Sequence, residues 1–293
     1  MIDTGLKNKV VIMTGANHGI GAATAIGFAK EGARVFVHYF RQSPEKFGET
    51  QSTIEKATEP GRAFYCKMAA QSAAQVEETI SKLRGKCCSW EADLSYPEKI
   101  PAMFDLAEDH LGPVEIIVNN AAVGNFDTFL PQAEIDQMPL FAEEYVLHSL
   151  SAHSHDEHFA VNSRAVALII TEFAGRVIKR DSKWGRIINI TTDGARCHAM
   201  NVSYGASKYA IESFTRSAAT ELGPYGITVN VISPGAVQTG WLNQKMEAKI
   251  AASYPLRRIG KPEDIANSII FFASKQADWI TGQVLYVGGG NRM

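Results

Sequence analysis

The chain is poor in everything that would staple it, anchor it or charge it strongly. Its 293 residues include four cysteines, Cys66, Cys87, Cys88 and Cys197. They fit no zinc-ligand spacing and no Cys-x-x-Cys redox motif, and neighbours such as Cys87 and Cys88 can hardly bridge each other. Reduced thiols in a cytoplasmic protein are therefore expected. The formal net charge is -2 at pH 7 and no basic run occurs, which removes the electrostatic case for nucleic acid. The longest apolar stretches are strand-sized, so no membrane span is expected. Met1 to Gly5 lacks the basic and apolar regions of a secretory leader. There is no internal repeat and no low-complexity linker.

What remains is an ordinary globular composition, 45% hydrophobic and 20% charged, able to bury a sizeable core. Short β-branched runs alternate with helix-sized segments. Candidate strands are Val10 to Met13, Arg34 to Val37, Glu115 to Val118, Arg186 to Ile190, Thr228 to Ile232 and Gln283 to Val287. Most are continuous apolar runs, as expected of parallel strands covered on both faces. Helical patterns run from Gly21 to Glu31 and from Tyr204 to Leu222. Repeated βα alternation predicts an α/β fold, a Rossmann-type doubly wound parallel sheet. One domain should span 1–293, with insertions near 43–70 and 126–152, because both connections are too long for ordinary βα loops. The second insertion contains Pro131, Pro139 and the apolar pair Leu140 and Phe141. It follows a strand's C-terminal end, so it should border a substrate mouth.

The first strand runs into Thr14-Gly15-Ala16-Asn17-His18-Gly19-Ile20-Gly21 and then a helix. Glycines permit a tight turn and let a pyrophosphate approach the backbone, while the helix aims free N–H groups at it. Tyr204 and Lys208 stand four apart in a helical pattern, which puts both on one face. A phenol ionises near pH ~10, and a nearby ammonium would bring it toward neutrality for proton exchange.

These motifs resemble the short-chain dehydrogenase/reductase family. The resemblance rests on the glycine turn, Asp93-Leu94, Asn119-Asn120-Ala121-Ala122, Asn162, Tyr204-x-x-x-Lys208 and Pro234-Gly235, in that order. Alanine stands at Ala122 where the family usually has glycine. Together the motifs cover nearly the whole chain outside the two insertions. The resemblance implies a nicotinamide dinucleotide held by Gly15, Asn17, His18, Gly19, Ile20 and Gly21. Asp93 and Leu94 would lie against adenine; Asn120, Ala121, Ala122, Tyr204 and Lys208 would also line the site. Pro234, Gly235, Val237 and Thr239 would meet the carboxamide and pyrophosphate, and Trp241 through Tyr254 would be a mobile lid. It further implies Tyr204 as proton donor and Lys208 as partner of that tyrosine and the nicotinamide ribose. Asn162 would interrupt a helix and hold a relay water. The family's substrate-holding serine is replaced by threonine. Alignment on Asn189-Ile190 selects Thr192, whereas counting back from Tyr204 selects Thr191, and Thr192 is preferred.

Cofactor choice is read at the end of the second strand, where an acid would bind both ribose hydroxyls. The sequence is His38-Tyr39-Phe40-Arg41, so Tyr39 removes the NAD signal and Arg41 can take a phosphate in bidentate fashion. NADP(H) is favoured over NAD(H). His148, His153, His155 and His158 cluster without a second pair of ligands, and no metal is expected. The expected activity is reversible carbonyl reduction on a small molecule; overall likeness within the family is to 3-oxoacyl-acyl-carrier-protein reductases. Two alternatives are a catalytically silent dinucleotide-binding sensor and an NAD-dependent alcohol dehydrogenase. Relatives imply a homo-oligomer, a tetramer or dimer, through the helices carrying Asn162 and Tyr204.

Overall fold

The first strand shows how the sheet is built. In β1 (Val10–Met13) all four side chains are buried. Val11 and Met13 join a cluster with Phe28, Ile265, Ile269 and Phe272 on one face. Val10 and Ile12 join Phe104, Ile169, Phe173 and Ile211 on the other. A strand covered on both faces must be apolar at successive positions, which is why its sequence does not alternate. Full burial of such side chains contributes about 1.5–3 kcal/mol each.

The computed structural model describes residues 3–137 and 146–292. The expected Pro139, Leu140 and Phe141 of the second insertion lie outside the described residues. The main strands are β1, β2 (Arg34–Tyr39), β3 (Lys86–Glu91), β4 (Ile116–Asn119), β7 (Gly185–Ile190), β8 (Ile227–Pro234) and β9 (Val284–Val287). They form one parallel seven-stranded sheet in the order β3-β2-β1-β4-β7-β8-β9. The order reverses between β1 and β4, and a crevice opens beyond their C-terminal ends.

Three strands carry little sequence signal. β3 is Lys-Cys-Cys-Ser-Trp-Glu, an edge strand recruited by pairing with β2 rather than by β-branched content. β5 (Phe126–Thr128) and β6 (Leu147–Ser149) pair in parallel as a separate small sheet inside the second insertion. The first insertion folds as a short 3₁₀ turn, Pro44–Phe47, followed by helices Gln51–Lys56 and Arg62–Ala69. Helix Ala152–Phe159 widens into a π segment, Ala160–Ala165, before helix Val166–Lys179. Such widening is rare and marks functional positions. Helix Val202–Leu222 is the longest, at 21 residues. No helix among the described residues is long and apolar enough to cross a membrane.

Candidate active site

The glycine turn is fixed by close approaches that no side chain would permit. Gly15 and Gly19 hold φ of 64° and 57°, the left-handed region that favours glycine. A Cβ on Gly15 would sit 2.8 Å from the Ala121 Cα, and one on Gly21 would strike the Gly15 carbonyl oxygen. Asn120 locks the turn: its Nδ2 donates to the carbonyls of Thr14 (3.0 Å) and Gly15 (2.9 Å). The Thr14 hydroxyl accepts from the N–H groups of Asn120 and Ala121. Helix Gly19–Lys30 begins here without a side-chain cap on His18, the arrangement that leaves backbone donors for an anion. The crevice, about 360 Å³, is lined by the turn together with Asp93, Leu94, Ala122, Tyr204 and Thr239. A bare-backbone cradle at a helix start fits the pyrophosphate of a dinucleotide.

Sequence reasoning missed the role of His38. Its Nδ1 accepts from Gly15 N at 3.4 Å and its Nε2 donates to the Ala92 carbonyl at 2.9 Å. Burial holds its pKa down to about 4, so the neutral ring that this pairing needs is the form present at pH 7. Asp93 folds back on Ser95 N at 2.8 Å and presents its turn to the crevice.

At the chemical end, Lys208 is buried and its Nζ donates to the Ile190 carbonyl at 2.9 Å. The same ammonium lies 5.8 Å from the centre of the Tyr204 ring. Burial lowers Lys208 to about 8. Here the structure corrects the expected pKa balance. Burial pushes the Tyr204 phenol above its ordinary range, with the charges of Tyr65 and Asp193 acting in the same sense. Desolvation is the largest cause, and it favours the protonated phenol. A protonated phenol is a donor awaiting an acceptor.

Asn162 lies in the π segment, as a helix-interrupting residue. Its Oδ1 accepts from Val123 N at 2.8 Å, and its Nδ2 donates to the Val123 carbonyl (2.9 Å) and Ser207 Oγ (3.0 Å). The side chain thus braces the loop after β4 against the catalytic helix. Thr191 is buried with an unpartnered hydroxyl, whereas half-buried Thr192 accepts from Gly194 N at 3.3 Å. Gly235 N donates to the Val287 carbonyl and Val237 bridges to Gly260, which sets the floor beside Thr239. Trp241 through Tyr254 contains helix Gln244–Ser253, tied at its base by Ala236 N donating to the Tyr254 hydroxyl at 2.8 Å.

Tyr39 ends β2, and from this stretch the crevice lining takes His38, Phe40 and Gln42 rather than Tyr39 or Arg41. Arg41 is already engaged. Its guanidinium grips Glu91 through Nε (2.9 and 3.0 Å) and Nη2 (2.8 Å). The histidines diverge rather than converge. His158 is fully enclosed between the Ser154 carbonyl and Asn125 N, His155 stacks on Phe159, and His153 faces Glu157. Asp127 and Tyr65, one from each insertion, were not singled out by any motif. Asp127 is buried and accepts from Ser203 N at 2.9 Å and Ser154 Oγ at 3.0 Å. It caps the catalytic helix, whose own N-cap Asn201 makes no side-chain cap.

The fold and its glycine-lined crevice are those of a dinucleotide-dependent oxidoreductase, and comparison with known proteins agrees. The short chain dehydrogenase model matches residues 9–87, and the Enoyl-(Acyl carrier protein) reductase model matches residues 53–292. The chain belongs to the short-chain dehydrogenase/reductase family, oxidoreductases that use a nicotinamide dinucleotide on a hydroxyl or carbonyl group. It is 33% identical over 291 residues to a 7alpha-hydroxysteroid dehydrogenase of Escherichia coli, covering 97% of this chain and 94% of that one. It is 28% identical to the 3-oxoacyl-[acyl-carrier-protein] reductase of Aquifex aeolicus, over 97% and 98% of the two chains. Among solved structures, the angucycline C-6 ketoreductase LanV with bound NADP superposes with a TM-score of 0.75 at 26% identity, covering 98% and 96%.

Proposed function

We propose that the protein is an NADP(H)-dependent carbonyl reductase that also runs as an alcohol dehydrogenase. The observation that carries this reading is a buried Lys208 beside a protonated Tyr204, at the mouth of a glycine-lined crevice. The nicotinamide, when bound, supplies or accepts the hydride. Tyr204 donates its proton to the carbonyl oxygen, and Thr192, the more accessible of the two threonines, holds that oxygen by its hydroxyl. Lys208 stabilises the phenolate left behind, and Asn162 keeps the catalytic helix and the Val123 loop in register. A silent sensor has no use for all four groups. The substrate is a small ketone or its alcohol, the feature common to the names of the relatives. The protein acts in the cytoplasm as a homo-oligomer.

NADP(H) is supported by the missing acid at Tyr39, by Arg41 two residues further along the chain and by the NADP held in LanV. NAD(H) is favoured by one observation, the pairing of Arg41 with Glu91, since a phosphate would have to displace that carboxylate. The central experiment is Tyr204→Phe, assayed by NADPH oxidation with a panel of ketones. Turnover should fall by at least about a hundredfold, the range of a lost acid–base group, while NADPH affinity is kept. Near-normal turnover would sink the mechanism.

A further inference from the structure

The first insertion reaches the chemistry. Its helix Arg62–Ala69 is pulled over the crevice by Gly61 N donating to the Gly240 carbonyl at 2.8 Å. Asn17 Nδ2 ties the other end, donating to the carbonyls of Ala69 (3.3 Å) and Gln71 (2.9 Å). Phe64 closes on Gly240 so tightly that a Cβ there would sit 3.0 Å from its ring. These contacts deliver Tyr65 into the same crevice as Tyr204, Val123 and Val161.

Tyr65 is the hub of an aromatic wall. Its ring stands edge-to-face to His18 (5.3 Å), Phe47 (6.2 Å) and Trp241 (4.9 Å). Trp241 in turn lies stacked with Phe126 of the second insertion at 6.2 Å. Three interlocked perpendicular contacts hold the Tyr65 ring rigid, in the preferred geometry of aromatic pairs. The Tyr65 hydroxyl has no hydrogen bond among the described residues, so the fold makes no polar use of the phenol. Tyr65 and Tyr204 line the same crevice, which is what brings this ring to the chemistry. A rigid wall of rings matches a flat ring system, whereas a flexible acyl chain would have to give up many rotamers to lie against it.

We propose that Tyr65 is a specificity-determining residue whose ring, backed by Trp241, selects ketones carried on a flat ring system over flexible open-chain ketones. This rests on the carbonyl-reductase reading of Tyr204. The test uses α-tetralone, a ketone fused to an aromatic ring, and ethyl acetoacetate, an open-chain one, with NADPH and NADH both supplied. Wild type should prefer α-tetralone. Tyr65→Leu should lower kcat/KM for α-tetralone by about tenfold or more, and for ethyl acetoacetate by less than about threefold, each measured at saturating cofactor. Tyr65→Phe should keep the preference, and Trp241→Leu should erode it from a different element if Tyr65→Leu folds poorly. Equal losses on both ketones, a preference unmoved by Tyr65→Leu and Trp241→Leu, or a preference lost in Tyr65→Phe would overturn the assignment. If wild type reduces neither ketone with either cofactor, the carbonyl-reductase reading fails for these ketones. The wall is then tested by calorimetric binding of α-tetralone: loss of binding in Tyr65→Leu supports it, and absent or unmoved binding overturns it.

Discussion

Lys208 ties stability to pH. Its folded pKa is about 8, against an ordinary 10.5, because burial disfavours the ammonium. Below about pH 8 the folded chain carries a buried charge; between about 8 and 10.5 the unfolded chain keeps a proton that the folded chain has released. The unfolding free energy contributed by this group therefore rises with pH across that window. Buried Cys66 and partly buried Cys88, both raised to about 11, act in the opposite sense, so the effect is read as a difference. Urea melts of wild type and Lys208→Met should converge or cross by roughly 2–3 kcal/mol between pH 7 and 10, with wild type gaining. No relative change would mean that the ammonium is better solvated than its burial implies. Two residues past the end of β2, Arg41→Ala should weaken NADPH by about tenfold and leave NADH nearly unchanged. Glu91→Gln frees Arg41 and should tighten NADPH. Calorimetric titration of both cofactors checks this, and equal affinities unmoved by either change would reduce Arg41 to surface charge.

At the scale of elements, the second insertion supports the helix that carries Tyr204, while the described lining of the crevice takes no residue from it. Asp127 on β5 places a carboxylate at the N-terminus of helix Val202–Leu222, where orphan N–H groups and the dipole favour a negative charge. Ser154, itself in the capping box of helix Ala152–Phe159, donates to the same carboxylate and joins that helix to helix Val202–Leu222 through it. Asp127→Ala should cost about 1–3 kcal/mol by leaving buried donors unpaired. Turnover should drop with it, because Tyr204 sits in the first turn that the carboxylate holds. Asp127→Asn keeps an acceptor and should retain most of the stability. Denaturation midpoints alongside kcat would test this, and an Asp127→Ala protein with unchanged kcat would confine the residue to packing.

Across the whole molecule, the two long helices carry exposed large apolar side chains among their polar ones. Leu168 and Ile178 lie on one and Tyr209 and Phe214 on the other, each more than a third exposed. Exposed apolar side chains are where an association surface is sought. Phe214→Arg with Tyr209→Glu should shift the protein to a smaller species in light scattering after size exclusion. An unchanged mass would move the interface elsewhere or leave the chain a monomer.

The sequence by itself determined the fold class, because strands buried on both faces favour continuous apolar runs, and β1 and the Ile116 to Val118 stretch of β4 are such runs. It also determined the glycine turn and the Tyr204–Lys208 pair, since each works through fixed local spacing. β3 escaped notice because an edge strand takes its conformation from its neighbour β2 rather than from its own residues. The pKa of Tyr204 went the other way from expectation because desolvation depends on what covers a side chain, and spacing carries no record of that. The pairing of Arg41 with Glu91 joins residues 50 positions apart through the β2–β3 register. Asp127 at the helix start and Tyr65 over the crevice come from the two insertions, which no motif describes. Only the tertiary structure decided these, because each rests on contacts between segments distant in the chain.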